Sequence, residues 1–229
     1  VNGEYEDLDH LRSKPGDVVS RFNDKDQDCF SIFIHAPFKI HLDSPEKDKN
    51  AASIVFQARF KEYSWSTDFS CQAMFGGDSD HTTWAQIVER TKRFGRDKTE
   101  KALDWDLFMA PHHCSWTYFN DTDKDEVIET SIEALKYAKD GAFIIASCKK
   151  IVNDDDNPPH YDAKKEYLKY VESKEKFLNT DVEPKESEPK PIIFDITANG
   201  PARGSEKSIS GSATSAGGGG SAGSIISQG

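Results

Sequence analysis

Between Ser53 and Ser115 the chain twice passes from an apolar, strand-like run directly into a cluster of polar groups, and this pattern restricts the folds open to it. The first run, Ser70 to Phe75 (SCQAMF), leads into Gly76-Gly77-Asp78-Ser79-Asp80. The second, Asp104 to Ala110 (DWDLFMA), leads into Pro111-His112-His113-Cys114-Ser115. In open α/β sheets the carboxyl ends of strands are where ligands collect. Asp78 and one of His112 and His113 are therefore expected to converge at one sheet edge.

The flanking segments supply the rest of a layered fold. Cys29 to Ala36 (CFSIFIHA), Ala52 to Phe60 (ASIVFQARF), Ala142 to Ser147 (AFIIAS) and Ile192 to Thr197 (IIFDIT) are β-rich apolar runs bounded by loops. Thr83-Trp84-Ala85-Gln86 fits a capping box, and Trp84, Ile87, Val88 and Thr91 share the face of a helix that Gly95 ends. Thr122 to Asp140 gives the clearest helical spacing, through Ile128, Ile132, Leu135 and Ala138, with Gly141 as its stop. A third helix is predicted at about 161–176, and residues 1–28 read as a short helix and a loop. Strands alternating with helices imply an α/β or α+β layer structure, a sheet covered by helices. Three parts follow: a polar segment 1–28, a domain 29–200, and a flexible tail 201–229 in which sixteen of 29 residues are Gly or Ser.

Composition narrows function. The net charge is −11, from 40 Asp and Glu against 29 Lys and Arg, and it opposes unassisted binding to nucleic acid. The cysteines Cys29, Cys71, Cys114 and Cys148 form no CxxC pair, so free thiols in a reducing cytoplasm are expected. No apolar run reaches the roughly 18 residues of a membrane span, and the first residues are too acidic for a signal peptide. The first residue is Val rather than Met, which leaves open a cut from a longer chain.

Two readings stand beside each polar motif. Gly76-Gly77-Asp78 brings the backbone close to a ligand and offers a carboxylate able to bridge hard cations, or it is a Gly-rich turn whose Asp caps the next helix. His112 and His113 point in different directions, so one can bind metal while the other donates, or both are satisfied turn residues. Asn153-Asp154-Asp155-Asp156-Asn157 lacks the Gly and distal Glu of a calcium loop and reads as solvated. Trp65, Trp105 and Trp116 read as core or rim aromatics.

These motifs together resemble one family. Asn50-Ala51-Ala52-Ser53-Ile54-Val55, Met74-Phe75-Gly76-Gly77-Asp78 with Trp84 after it, and Phe108-Met109-Ala110-Pro111-His112-His113-Cys114-Ser115 resemble the second half of metallo-β-lactamase-fold hydrolases of the competence (ComEC-type) branch. Ile34-His35-Ala36-Pro37 upstream, and Ala146-Ser147, Asn157-Pro158-Pro159-His160 and Phe194 to Gly200 downstream, extend the likeness over residues 29–200. The resemblance implies an αββα sandwich with a dinuclear zinc or manganese site that activates water against an ester, most often a phosphodiester. It implies Asp78 and His113 as catalytic residues, and Asp78, His112, His113 and His160 as candidate metal ligands.

The chain departs from the family at Cys114, where the family has Gly, and in lacking its His-x-His-x-Asp-His motif. The earlier histidines are His10, His35 and His41, and His35, His41 and Asp43 are the residues that a replacement would use. The expectation is thus a metal-dependent hydrolase whose site is completed by a missing N-terminal half or a partner chain, with its metal partly bound or lost. The alternative is a non-catalytic binding or scaffold module on the same fold, with a homo-oligomer as a possible form of either.

Overall fold

The computed structural model describes residues 12–38, 50–123 and 125–204. His10, His41, Asp43 and most of the Gly/Ser tail lie outside the described residues.

The apolar runs pair as strands. A seven-stranded sheet has the order β1 (Val18–Val19), β4 (Phe30–Ala36), β5 (Val55–Phe60), β6 (Cys71–Phe75), β7 (Trp105–Met109), β8 (Ala138–Ala146), β9 (Phe177–Asn179). From β1 to β6 neighbouring strands are antiparallel, and from β6 to β9 they are parallel. Two hairpins stand apart, β2 (Arg21–Phe22) with β3 (Lys25–Asp26), and β10 (Phe194–Thr197) with β11 (Gly200–Arg203). The protein is therefore mixed α/β, with helices on one face of a large mixed sheet.

Alternation along the strands divides the core in two. Val55, Met74, Phe108 and Ile144 face the helix layer, where α1 (His81–Arg93) contributes Trp84, Ile87 and Val88. Trp84 and Phe108 pack with ring centroids 5.3 Å apart. The opposite face carries Ala73, Leu107, Phe143 and Ile145, covered in part by Phe194 and Ile196 of β10. Phe30, Phe56, Phe75 and Met109 on that face are only half-buried. Strands β7 and β8 are thus buried on both sides, which is why they read as continuous apolar runs rather than alternating ones.

Several expectations are corrected. Residues 18–26 form β1 and the β2–β3 hairpin instead of a helix and a loop. Helix α1 begins at His81, capped by Asp80, whose carboxylate accepts from the Thr83 N–H at 2.9 Å; the Thr83 box is not the cap. The long helix over 122–140 is replaced by α3 (Glu129–Ile132) and a 3-10 turn, Glu133–Tyr137, because β8 begins at Ala138, paired with Trp105. Gly141, read as a helix stop, has φ +77° where the β7–β8 register shifts. The third helix is α4 (Tyr161–Tyr167), followed by 3-10 turns, and then β9. The fold continues through β11, so an ordered hairpin occupies the first residues of the segment read as tail. A four-residue helix, α2 (Arg96–Thr99), follows α1.

Candidate functional site

Because β6, β7 and β8 are parallel neighbours, their carboxyl ends lie along one edge of the sheet. That edge presents Gly76-Gly77-Asp78, Pro111-His112-His113 and Ser147 together. Strand β5 runs the other way and delivers its amino end to the same edge, where Ser53 Oγ accepts the Asp78 N–H at 3.2 Å.

The two glycines are needed for close approach. A Cβ at Gly76 would lie 2.5 Å from Pro111 Cγ, so the β6 and β7 loops touch only because it is absent. Gly77 has φ +54° and sits against Ser53 and the Ile54 carbonyl, and its own carbonyl accepts the His112 N–H at 2.8 Å. The glycine pair thereby fixes the spacing between the carboxylate loop and the histidine loop.

The Pro111–Cys114 turn is left-handed. His112, His113 and Cys114 have φ of 48°, 55° and 65° in succession, a conformation that costs an L-residue about 1–2 kcal/mol each. Runs of this kind persist where the surroundings fix them, and they cluster at functional sites. Here the surroundings are concrete. Ser115 N–H returns to the His112 carbonyl at 3.0 Å, the Ser115 hydroxyl and the Trp116 N–H both donate to Asn157 Oδ1, and the Cys114 carbonyl accepts the His160 N–H at 2.9 Å.

This turn separates the two imidazoles. His113 places Nδ1 2.6 Å from the Ser147 carbonyl, which can only accept, so Nδ1 donates there, and Nε2 faces Asp78, 4.0 Å from Oδ1. Both side chains are about half exposed. His112 instead directs Nδ1 to the Thr117 hydroxyl at 3.2 Å. His160 serves α4: its Nδ1 accepts the Ala163 N–H, and its Nε2 lies 3.4 Å from Asp123 Oδ2. His81 is buried at the start of α1, with Nδ1 3.3 Å from the Thr117 carbonyl and Nε2 3.8 Å from Asp121. Its place three residues after Asp78 was the signal available for it.

The family's dinuclear centre can be tested against these groups. A nitrogen and an oxygen on one tetrahedral zinc stand about 3.4 Å apart, given bonds of about 2.0–2.2 Å. Asp78 and His113 meet that spacing after closing by roughly half an ångström, which two half-exposed side chains allow. Among the described residues, however, no group of three or more His, Cys, Asp or Glu is arranged to hold a metal ion. His160 has partners at both ring nitrogens and His112 at Nδ1, and neither is grouped with the pair. The described residues do not fit a complete dinuclear centre; they bring together one carboxylate and one imidazole.

His35 is also not a ligand in waiting at this edge. It is buried beside Phe33, ring centroids 4.8 Å apart, and burial, with Arg59 nearby, pushes its pKa down to about 3.

The class defined by these observations is a mixed α/β protein with a carboxylate–imidazole pair at the carboxyl edge of its parallel strands. No protein-family model, curated protein or solved structure matches the chain. Among the described residues no helix is long and apolar enough to cross a membrane.

Proposed function

We propose that this chain is the second half of an αββα metallo-β-lactamase-like hydrolase acting on phosphodiesters in the cytoplasm, and that Asp78 and His113 are its share of a zinc or manganese site. The observation that carries the reading is the orientation of the His113 ring. A backbone carbonyl takes the Nδ1 proton and leaves Nε2 aimed at a carboxylate 4.0 Å away, the arrangement by which proteins orient a metal-ligating histidine. The half-covered sheet face, with Phe30, Phe56, Phe75 and Met109 on it, supports a first half-sandwich or partner chain packing there. Residues from that other half would supply the remaining ligands.

A second reading, a non-catalytic binding or scaffold module on the same fold, is favoured by one observation. No group of three or more His, Cys, Asp or Glu is arranged to hold a metal ion among the described residues, so no third donor joins the pair.

Calorimetric titration with zinc or manganese, together with hydrolysis of bis(4-nitrophenyl) phosphate, separates the two. On the first reading the chain alone binds metal weakly, the binding is lost in both Asp78→Asn and His113→Ala, and hydrolysis stays near background. Absence of any metal binding that depends on Asp78 and His113 rejects the first reading and leaves the second.

A further inference from the structure

A second concavity lies away from this edge, between β4 and the carboxyl-terminal half of α1. It has a volume of about 240 Å³ and is lined by Phe33, His35, Phe38, Thr91, Phe94 and Arg90, among others. Along α1, Arg90 stands nine residues beyond His81, roughly 14 Å at the rise of a helix, so this cleft is separate from the Asp78–His113 pair.

Its floor is aromatic and its surroundings are cationic. Phe33 and Phe38 are buried, whereas Phe94 at the rim is 69% exposed. Large apolar side chains left in water at the mouth of a concavity mark contact surfaces more often than isolated ones do. Arg90 is exposed at the same mouth, with its guanidinium 4.2 Å from the Phe38 ring centroid, and among the described residues no carboxylate lies within ion-pairing distance of it. Arg96 and the buried Arg59 stand behind, at 5.6 Å and 4.6 Å from the Phe33 ring, and share a single carboxylate, Glu100. Among the described residues, the ion pairs around the cleft set three guanidiniums against one carboxylate, in a chain whose net charge is −11. In the wall, His35 Nε2 has no hydrogen-bond partner.

Each feature selects a property of the occupant. The volume falls below the roughly 300–1,000 Å³ of sites for drug-sized ligands, which limits the occupant to about one ring. Aromatic walls favour a flat ring, and a guanidinium with no carboxylate partner among the described residues favours a carboxylate or phosphate, which it can bind in bidentate fashion. We propose that the cleft between β4 and α1 binds a small aryl anion, its ring held among Phe33, Phe38 and Phe94 and its anionic group held by Arg90.

The test is a titration of the full chain, followed by NMR, with benzoate and phenyl phosphate as probes and with inorganic phosphate and cyclohexanecarboxylate as controls. The two probes decide whether the anionic group is a carboxylate or a phosphate. At least one should saturate below about 10 mM and shift resonances of Phe33, His35 and Thr91, while both controls bind more weakly. Arg90→Gln, on an exposed helix face, should keep the fold and weaken the better probe about tenfold, and Phe94→Ala should weaken it several-fold. The proposal is overturned if neither probe saturates, if the controls bind as well as the probes, or if Arg90→Gln binds as tightly as the parent chain.

Discussion

Lowering the pH from 7 to 5 should destabilise this protein through one residue, His35. Its imidazole is 3% exposed, and burial, reinforced by the charge of Arg59 and opposed by the Ala102 backbone, depresses its pKa from 6.5 to about 3. The sign follows from proton counting. Between pH 6.5 and 3 the unfolded chain binds a proton at His35 that the folded chain refuses, so stability rises with pH in this window and falls on acidification. At pH 5 the unfolded imidazole is almost fully protonated, and the difference amounts to about 2 kcal/mol, approaching about 5 kcal/mol below pH 3. That is a large part of the 5–15 kcal/mol by which a domain is ordinarily stable.

Urea unfolding followed by circular dichroism at pH 7 and pH 5 measures the loss. His35→Gln serves as the reference, since it cannot titrate. Asp80, whose carboxylate is desolvated yet held below its ordinary 3.8 by hydrogen bonds from the Thr83 N–H and the Thr82 hydroxyl, stays ionised at pH 5 and does not confound the comparison. The parent chain should lose about 2 kcal/mol more than the variant between the two pH values. An equal loss in both proteins would show that His35 takes up its proton without unfolding, and would refute the reasoning.

Other outcomes can be checked alongside. Asp80→Ala removes the side-chain acceptor at the start of α1 and should cost about 1 kcal/mol in urea unfolding. Gly76→Ala puts a methyl 2.5 Å from Pro111 Cγ, and should cost about 1–3 kcal/mol and weaken any metal binding that depends on Asp78 and His113, read by calorimetry. Thiol labelling with Ellman's reagent should reach Cys29 first and Cys148 slowly, because burial pushes the Cys148 thiol up to about 11. Cys71 and Cys114, fully buried and raised further, should label only after denaturation.

The sheet was readable because its central strands are covered on both faces, and that demands apolar side chains at successive positions, as in Phe143, Ile144 and Ile145. Elements held by long-range pairing were not. Strand β9 is three residues, Phe177–Asn179, inside a charged stretch, and it exists because β8 offers it a parallel partner. Likewise Ile128, Ile132 and Leu135 do sit at helical spacing, yet pairing of Ala138 with Trp105 draws the following residues into the sheet. The start of α1 illustrates a local ambiguity. Asp80 and Thr83 both lie where an N-cap could be, and the turn leaving β6, with Ser79 bonded back to the Gly76 carbonyl, decides for Asp80. At the site, the convergence of Asp78 and His113 followed from parallel strands ending together. The roles of His112 and His160 did not, because a histidine that bonds to a threonine or caps a helix has the same sequence as one that binds metal.

The left-handed turn links these observations. Three successive left-handed L-residues store about 3–6 kcal/mol, and the chain retains them where a glycine at position 114 would relieve part of the cost. What the geometry secures is direction. With this backbone His113 Nδ1 reaches the Ser147 carbonyl and Nε2 reaches toward Asp78, whereas His112 turns to Thr117. The restraints that hold it come from the later loop, through Asn157 Oδ1 on Ser115 and Trp116, and the His160 N–H on Cys114. Asn157 and His160 thus hold the backbone of the turn that carries the pair. Cys114, buried and in van der Waals surroundings with the helix-side core, adds a packing anchor that glycine lacks. The strain, the buried thiol and the two later-loop contacts therefore form one device, whose product is an imidazole of fixed orientation facing a carboxylate.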